Sequence, residues 1–169
     1  MPWNTPITFT PGQVVSATDL NNNVRDNANY LLSGRALAKV VRTGARNYST
    51  TGFTFVDVDA TNLILNLTVN SGRVLCIATG AWYNAAGTVI DLYMDWILDS
   101  VTRAGGAQGS LRVQTTTTNF PFQPFICVAQ FSGLSVGSHT FKLQFAASAG
   151  NTVSIANASY PIVLHAFEI

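Results

Sequence analysis

From Leu37 to the C-terminus the apolar residues recur with a period of two, a pattern that only β-strands turn into a buried face. In 63–69 every odd position, Leu63, Leu65, Leu67 and Val69, is apolar. In 89–99, Ile90, Leu92, Met94, Trp96 and Leu98 share one face, while Asp91, Tyr93, Asp95 and Asp99 share the other. The alternation is strict in Phe141-Lys-Leu-Gln-Phe145. Further apolar runs fall at 53–58, 74–83, 110–117, 125–131, 152–156 and 162–169, with Gly- and Asn-rich turns between them. About eight to ten strands at this spacing predict a β-sandwich or barrel, and a two-sheet jelly roll fits the strand number best. Pro121 and Pro124 predict a loop or sheet edge over 119–125, with Phe120, Phe122 and Phe125 clustered around it.

Residues 1–35 follow other rules. Pro2, Pro6 and Pro11 forbid helix and predict an extended arm. Trp3, Ile7 and Phe9 make that arm apolar, so they are candidate anchors. The arm serves either as an edge strand of its own domain or as a strap on another surface. Ser16 and Asp19 form an S-x-x-D capping box that predicts a helix start, and Gly34 predicts its end about four turns later. Ala17, Leu20, Val24, Ala28 and Leu31 recur at spacings of three and four. Read in heptads, the seam holds Leu20, Val24, Asn27 and Leu31, with Asn27 as a register-fixing polar residue. So short a helix is marginal alone. It packs on itself, on the β domain or on a foreign protein. The predicted division is 1–35, arm and helix, and 36–169, β domain.

Charged residues make up only 10% of the 169, against about a quarter in an ordinary domain, while apolar residues reach 47%. Such a chain folds, with an uncharged polar surface of the kind found in packed assemblies. Net charge is +1, which gives no case for nucleic acid. Residues 35–47 carry four cations and no acid, yet lack interleaved aromatics. No run approaches the about 18 apolar residues of a membrane helix, and no secretory signal is expected at the N-terminus. Cys76 and Cys127 lie in apolar runs and are expected to be buried free thiols.

Chemistry is hard to place. His139 and His165 have no metal-ligand spacing. Asp91, Asp95 and Asp99 are four apart, so on one strand face each would lie about 13 Å from the next, too far for one ion without other strands. There is no G-x-S-x-G, phosphate-cradling loop or paired glutamate set. No enzyme, cofactor or metal is expected. Trp82 and Tyr83 before a turn, and Tyr93 on a polar face, are candidate surface rings for a glycan; Trp82 and Tyr93 are the two named for it.

Two stretches resemble a known group. The arm and helix resemble the N-terminal segment of tailed-bacteriophage virion proteins, which carry a Trp, a Thr-Pro arm, a Gly before V-[VT]-[ST]-A, then L-N…V-R-D-N…L. The matching positions are Trp3, Thr5, Pro6, Gly12, Val15, Ala17, Leu20, Asn21, Val24, Arg25, Asp26, Asn27 and Leu31. Residues 133–144 and 164–169 look like the later strands of phage jelly rolls similar in shape to trimeric tumour-necrosis-factor and C1q heads. The resemblance implies a homotrimeric virion protein that contacts other capsid or tail proteins. It would serve as a capsid decoration or short appendage subunit, since no fibre shaft is present. The alternative it leaves is a tail-fibre or receptor-binding head recognising a host-surface glycan.

Overall fold

The computed structural model describes residues 8, 10–26, 37–44, 48–84, 89–115, 122–148, 150–155 and 160–169. The chain divides into two compact units, Met1–Ala36 and Leu37–Ile169. In the first, Ser16 caps helix α1 (Ala17–Leu20). The Asp19 N–H donates to Ser16 Oγ at 3.1 Å, and the Ser16 N–H donates back to Asp19 Oδ2 at 3.2 Å. This is the capping box expected from the sequence. The helix then widens to a π-type segment, Asn21–Asp26. One cause is local: Asn23 Nδ2 donates to the Asp19 carbonyl at 3.0 Å, competing for the oxygen an α-turn would use. The four-turn helix expected to run to Gly34 is therefore described only as one α-turn and this segment. Trp3, Ile7, Phe9, Asn27 and Leu31 lie outside the described residues.

The second unit is two antiparallel sheets. Sheet A holds β1 (Leu37–Arg42), β2 (Tyr48–Thr51), β5 (Arg73–Asn84), β9 (Gln123–Ser132), β11 (Thr152–Ile155) and β12 (Ile162–Glu168). Sheet B holds β3 (Val56–Asp57), β4 (Ile64–Val69), β6 (Asp91–Leu98), β7 (Thr102–Arg103), β8 (Leu111–Gln114) and β10 (Gly137–Ala147). Four pairs are single paths with a break. β11 and β12 share one side of β5, and β1 and β2 lie beyond them. β3 and β4 share one side of β10, and β7 and β8 share one side of β6. Merged in chain order, sheet A runs first-eighth-third-sixth and sheet B second-seventh-fourth-fifth. Successive strands thus alternate between sheets except at the fourth-fifth hairpin, which is the jelly-roll order. The fold is a jelly-roll β-sandwich.

The period-two faces meet between the sheets. Leu63, Leu65, Val69, Trp96, Phe141 and Phe145 are all buried there. Trp96 Nε1 donates across the core to the Cys127 carbonyl of β9 at 3.2 Å. Phe125 also turns inward, opposite Gly80; a Cβ at Gly80 would lie 2.8 Å from its ring, so glycine makes the room. Pro124 sits in β9, which among the described residues pairs only with β5, as a sheet-edge position allows. Cys76 and Cys127 are free and buried. Burial, then the neighbouring Cys127, raises the Cys76 thiol far above its usual range. Burial, then Asp95, pushes Cys127 up to about 12.

Candidate interaction surface

The two sheets differ on their outer sides. Sheet B's outer side is laced with polar contacts. Lys142 Nζ donates to Asp57 Oδ2 at 3.0 Å, and Gln144 Nε2 to Asp57 Oδ1 at 2.8 Å. Arg112 grips both oxygens of Asp91 at 3.2 Å. Asp95 is fully buried; its Oδ1 accepts from Trp96 N, Gly105 N and Ser110 Oγ at 2.6–2.9 Å. Arg103 Nε lies 3.0 Å from Asp95 Oδ2, an ion pair rather than an aligned hydrogen bond, and its guanidinium stacks on Phe55 at 3.9 Å. The aspartates expected to line one strand face therefore already meet cations: Asp91 meets Arg112, Asp95 meets Arg103, and Asp99, in the following turn, meets His139. Among the described residues, no three His, Cys, Asp or Glu converge as a metal site would require.

At one end of the sandwich, both nitrogens of His139 face acceptors. Nδ1 is 2.8 Å from Asp99 Oδ2 and Nε2 is 2.9 Å from the Ser135 carbonyl. A neutral ring can donate only once, so this geometry favours the imidazolium. The hydrogen bond to Asp99, then that to Ser135, raises the His139 pKa above its ordinary 6.5, against the effect of burial. A raised folded-state value stabilises the fold fully below about 6.5 and ceases to as pH rises through the folded pKa. NMR titration of the His139 ring is expected to give a value above that of a free histidine, and His139→Gln to flatten thermal stability between about pH 6 and 8. A ring that titrates at or below the free value would refute the double-acceptor geometry.

Sheet A's outer side is a different surface. Its register places Leu37, Phe167, Leu75 and Gln130 on one rung. The next holds Lys39, His165, Ile77 and Val128, and the third Val41, Val163, Thr79 and Ile126. Eight of these twelve are apolar, and Lys39 is the one Lys or Arg among them. The border strands are open: Leu37 is 59% exposed, Ile126 63% and Val128 47%. His165 stacks on Phe167 at 5.6 Å. Beyond the third rung the face dips into a pocket of about 460 Å³, bounded by Thr79, Ala81, Phe122, Pro124, Tyr160 and Pro161. Phe122 meets Tyr83 and Tyr160 edge-on at 5.3 and 5.2 Å.

The structure corrects the two rings named for a glycan. Trp82 is 1% exposed, because its even position on β5 shares the core face with Val74, Cys76 and Ala78. Tyr93 does face away from the core, yet Phe53 covers it at 4.7 Å, Arg112 lies over its ring, and its hydroxyl donates to Asp91 at 3.2 Å. Neither can stack on a sugar in this structure. Of the helix contacts, Leu20 and Val24 are 50% and 59% exposed within their unit. The expected aromatic cluster divides: Phe125 enters the core, Phe122 joins the outer pocket, and Phe120 lies outside the described residues. The basic stretch leaves Lys39 on the outer face, while Arg42 Nε donates to Tyr48, whose hydroxyl donates to Asp59 at 2.6 Å. Burial opposes ionisation of Asp59, but Tyr48, Asn62 and Thr61 outweigh it and hold the carboxyl well below its usual range.

No protein-family model matches the chain, and no curated protein does. Solved structures do. The Eiger TNF of S. frugiperda matches with a TM-score of 0.44 at 11% identity, over 80% of this chain and 92% of that one. A structure of infectious bursal disease virus, Gx strain, matches at 0.42 and 13% identity, over 79% of this chain. T=1 particles derived from infectious bursal virus match at 0.42 and 11% identity, over 98% of this chain. This chain covers 37% and 40% of those two viral chains.

Proposed function

We propose that this chain is a non-enzymatic structural protein of a tailed-phage virion. In this reading it is a homotrimer attached through residues 1–35, displaying the jelly roll as a capsid decoration or short appendage subunit. Its partners are further copies of itself and other virion proteins. The observation that carries the reading is the N-terminal helix: α1 has an intact capping box but no buried residue, and Leu20 and Val24 stand half exposed or more. A capped helix with its apolar residues in water is built to be covered. The same stretch holds the residues that resemble phage virion proteins.

Full-length protein with Leu20→Asp and Val24→Asp tests it. Wild type is expected to sediment at three times 18.1 kDa and to bind particles lacking it, whereas the double variant keeps its fold and loses binding at least about 30-fold. Unchanged particle binding by the variant would remove the helix from attachment.

A further inference from the structure

We propose that the outer face of sheet A, together with the edge of β9 that is unpaired among the described residues, is the surface on which a second copy of this chain packs. This rests on the reading that the protein self-associates, and it assigns the contact. The first argument is strand composition. A strand covered on one side alternates apolar and polar residues, whereas one covered on both sides reads as a continuous apolar run. Val74-Leu-Cys-Ile-Ala78 in β5 is such a run: Val74, Cys76 and Ala78 fill the core, while Leu75 and Ile77 look outward. In β9, Ile126 and Val128 look outward opposite Thr79 and Ile77. Sheet B's central strand β6 is also buried on both sides, but its outer residues are Asp91, Tyr93 and Asp95, covered by this chain's own Phe53, Arg103 and Arg112.

The second argument is extent. Four strands at about 4.8 Å spacing, and the roughly 27 Å from Leu75 to Tyr83, give a flat face of roughly 500 Å² before side-chain relief. A specific protein contact needs about 800 Å² of accessible surface per partner, and side-chain relief and the adjoining edge add to the flat figure toward that size. The pocket at Phe122 and Tyr160 provides a socket for an apolar side chain of the neighbour. The third argument is the edge. β9 is ten residues long, pairs among the described residues only with β5 and contains no charged residue. Exposed edges normally carry charges, prolines or bulges that prevent pairing; Pro124 blunts one end of β9, and 125–132 carries no charge or proline. An uncharged edge continuous with an apolar face needs a partner present whenever the chain is made, and a second copy meets that need. Nucleic acid or an anionic membrane would need more cations than Lys39 provides.

Sedimentation velocity of full-length Val128→Glu and Ile126→Glu tests the assignment, with Val101→Glu as control, since Val101 is 82% exposed in the β6–β7 turn. The wild type and Val101→Glu are expected to run as multiples of 18.1 kDa. The two β9 variants are expected to run as monomers with unchanged far-UV spectra, their association weakened about 30-fold or more. If the β9 variants keep the wild-type mass, the face is wrong and self-association stands. If the wild type itself runs as a monomer, both fall. Hydrogen exchange on the wild type needs no substitution: β9 amides are expected to exchange faster on dilution, and dilution-independent exchange would overturn the assignment.

Discussion

Asp95→Ala is expected to destabilise the fold by about 3–5 kcal/mol, because it leaves three donors without their acceptor and a half-buried Arg103 without its counter-charge. Asp95 lies at the crossing of several elements. It takes the backbone N–H of Trp96 in its own strand and of Gly105 in the following turn, the hydroxyl of Ser110, and the charge of Arg103. Without it, the segment 99–110 loses its side-chain tie to β6 and is held by backbone bonds alone, such as Ala104 N–H to the Trp96 carbonyl and Ser110 N–H to the Met94 carbonyl, and Arg103 stays stacked on Phe55 with no counter-charge. A domain of this size has about 5–15 kcal/mol of total stability, so the loss consumes a large share of it. Urea unfolding at neutral pH measures the effect. A loss under about 1 kcal/mol would mean that the carboxylate is replaceable by solvent. Arg103→Ala should cost a comparable amount, and the double substitution less than the sum, since the pair is one interaction.

The buried tryptophans Trp82 and Trp96 are expected to respond unequally to the same substitution. Trp96→Phe removes the donor to Cys127 and opens a void between the sheets, so a loss of about 2 kcal/mol is expected, rising to about 3–5 for Trp96→Ala. Trp82 Nε1 is buried with no hydrogen-bond partner among the described residues. Trp82→Phe removes an unsatisfied donor along with some volume, and the two effects oppose each other. A change within about 1 kcal/mol is expected. Thermal unfolding of the two Phe variants side by side decides it; equal losses would show that volume alone sets the cost.

The strands and their inward faces were legible because the core imposes its period locally. Leu63–Val69 and Phe141–Phe145 alternate as the core requires, and Ser16 with Asp19 marks the helix start through contacts three residues apart. What escaped depends on distant chain. Tyr93 lies on the face the alternation assigns it, but its cover comes from Phe53 and Arg112, which no local pattern brings near. Trp82 differs: its parity with Val74, Cys76 and Ala78 already places it in the core, and nearness to a turn does not change the face a strand residue takes. The apolar outer face of sheet A also had a local signal, the unbroken run Val74–Ala78. Its meaning emerged only once the register set β1, β12, β5 and β9 side by side.

The jelly roll also orders events in time. β12, the last of these strands in chain order, lies between β1 and β5, so among the described residues β1 has no strand to pair with until β12 is made. Leu37 then pairs with Phe167, closing the domain end to end. Long-range closure of this kind is slow, on the order of milliseconds to seconds. β12 also supplies Val163, His165 and Phe167 to the outer face of sheet A. A chain without β12 therefore lacks the middle of that face, and assembly through it would admit only subunits in which β12 is in place.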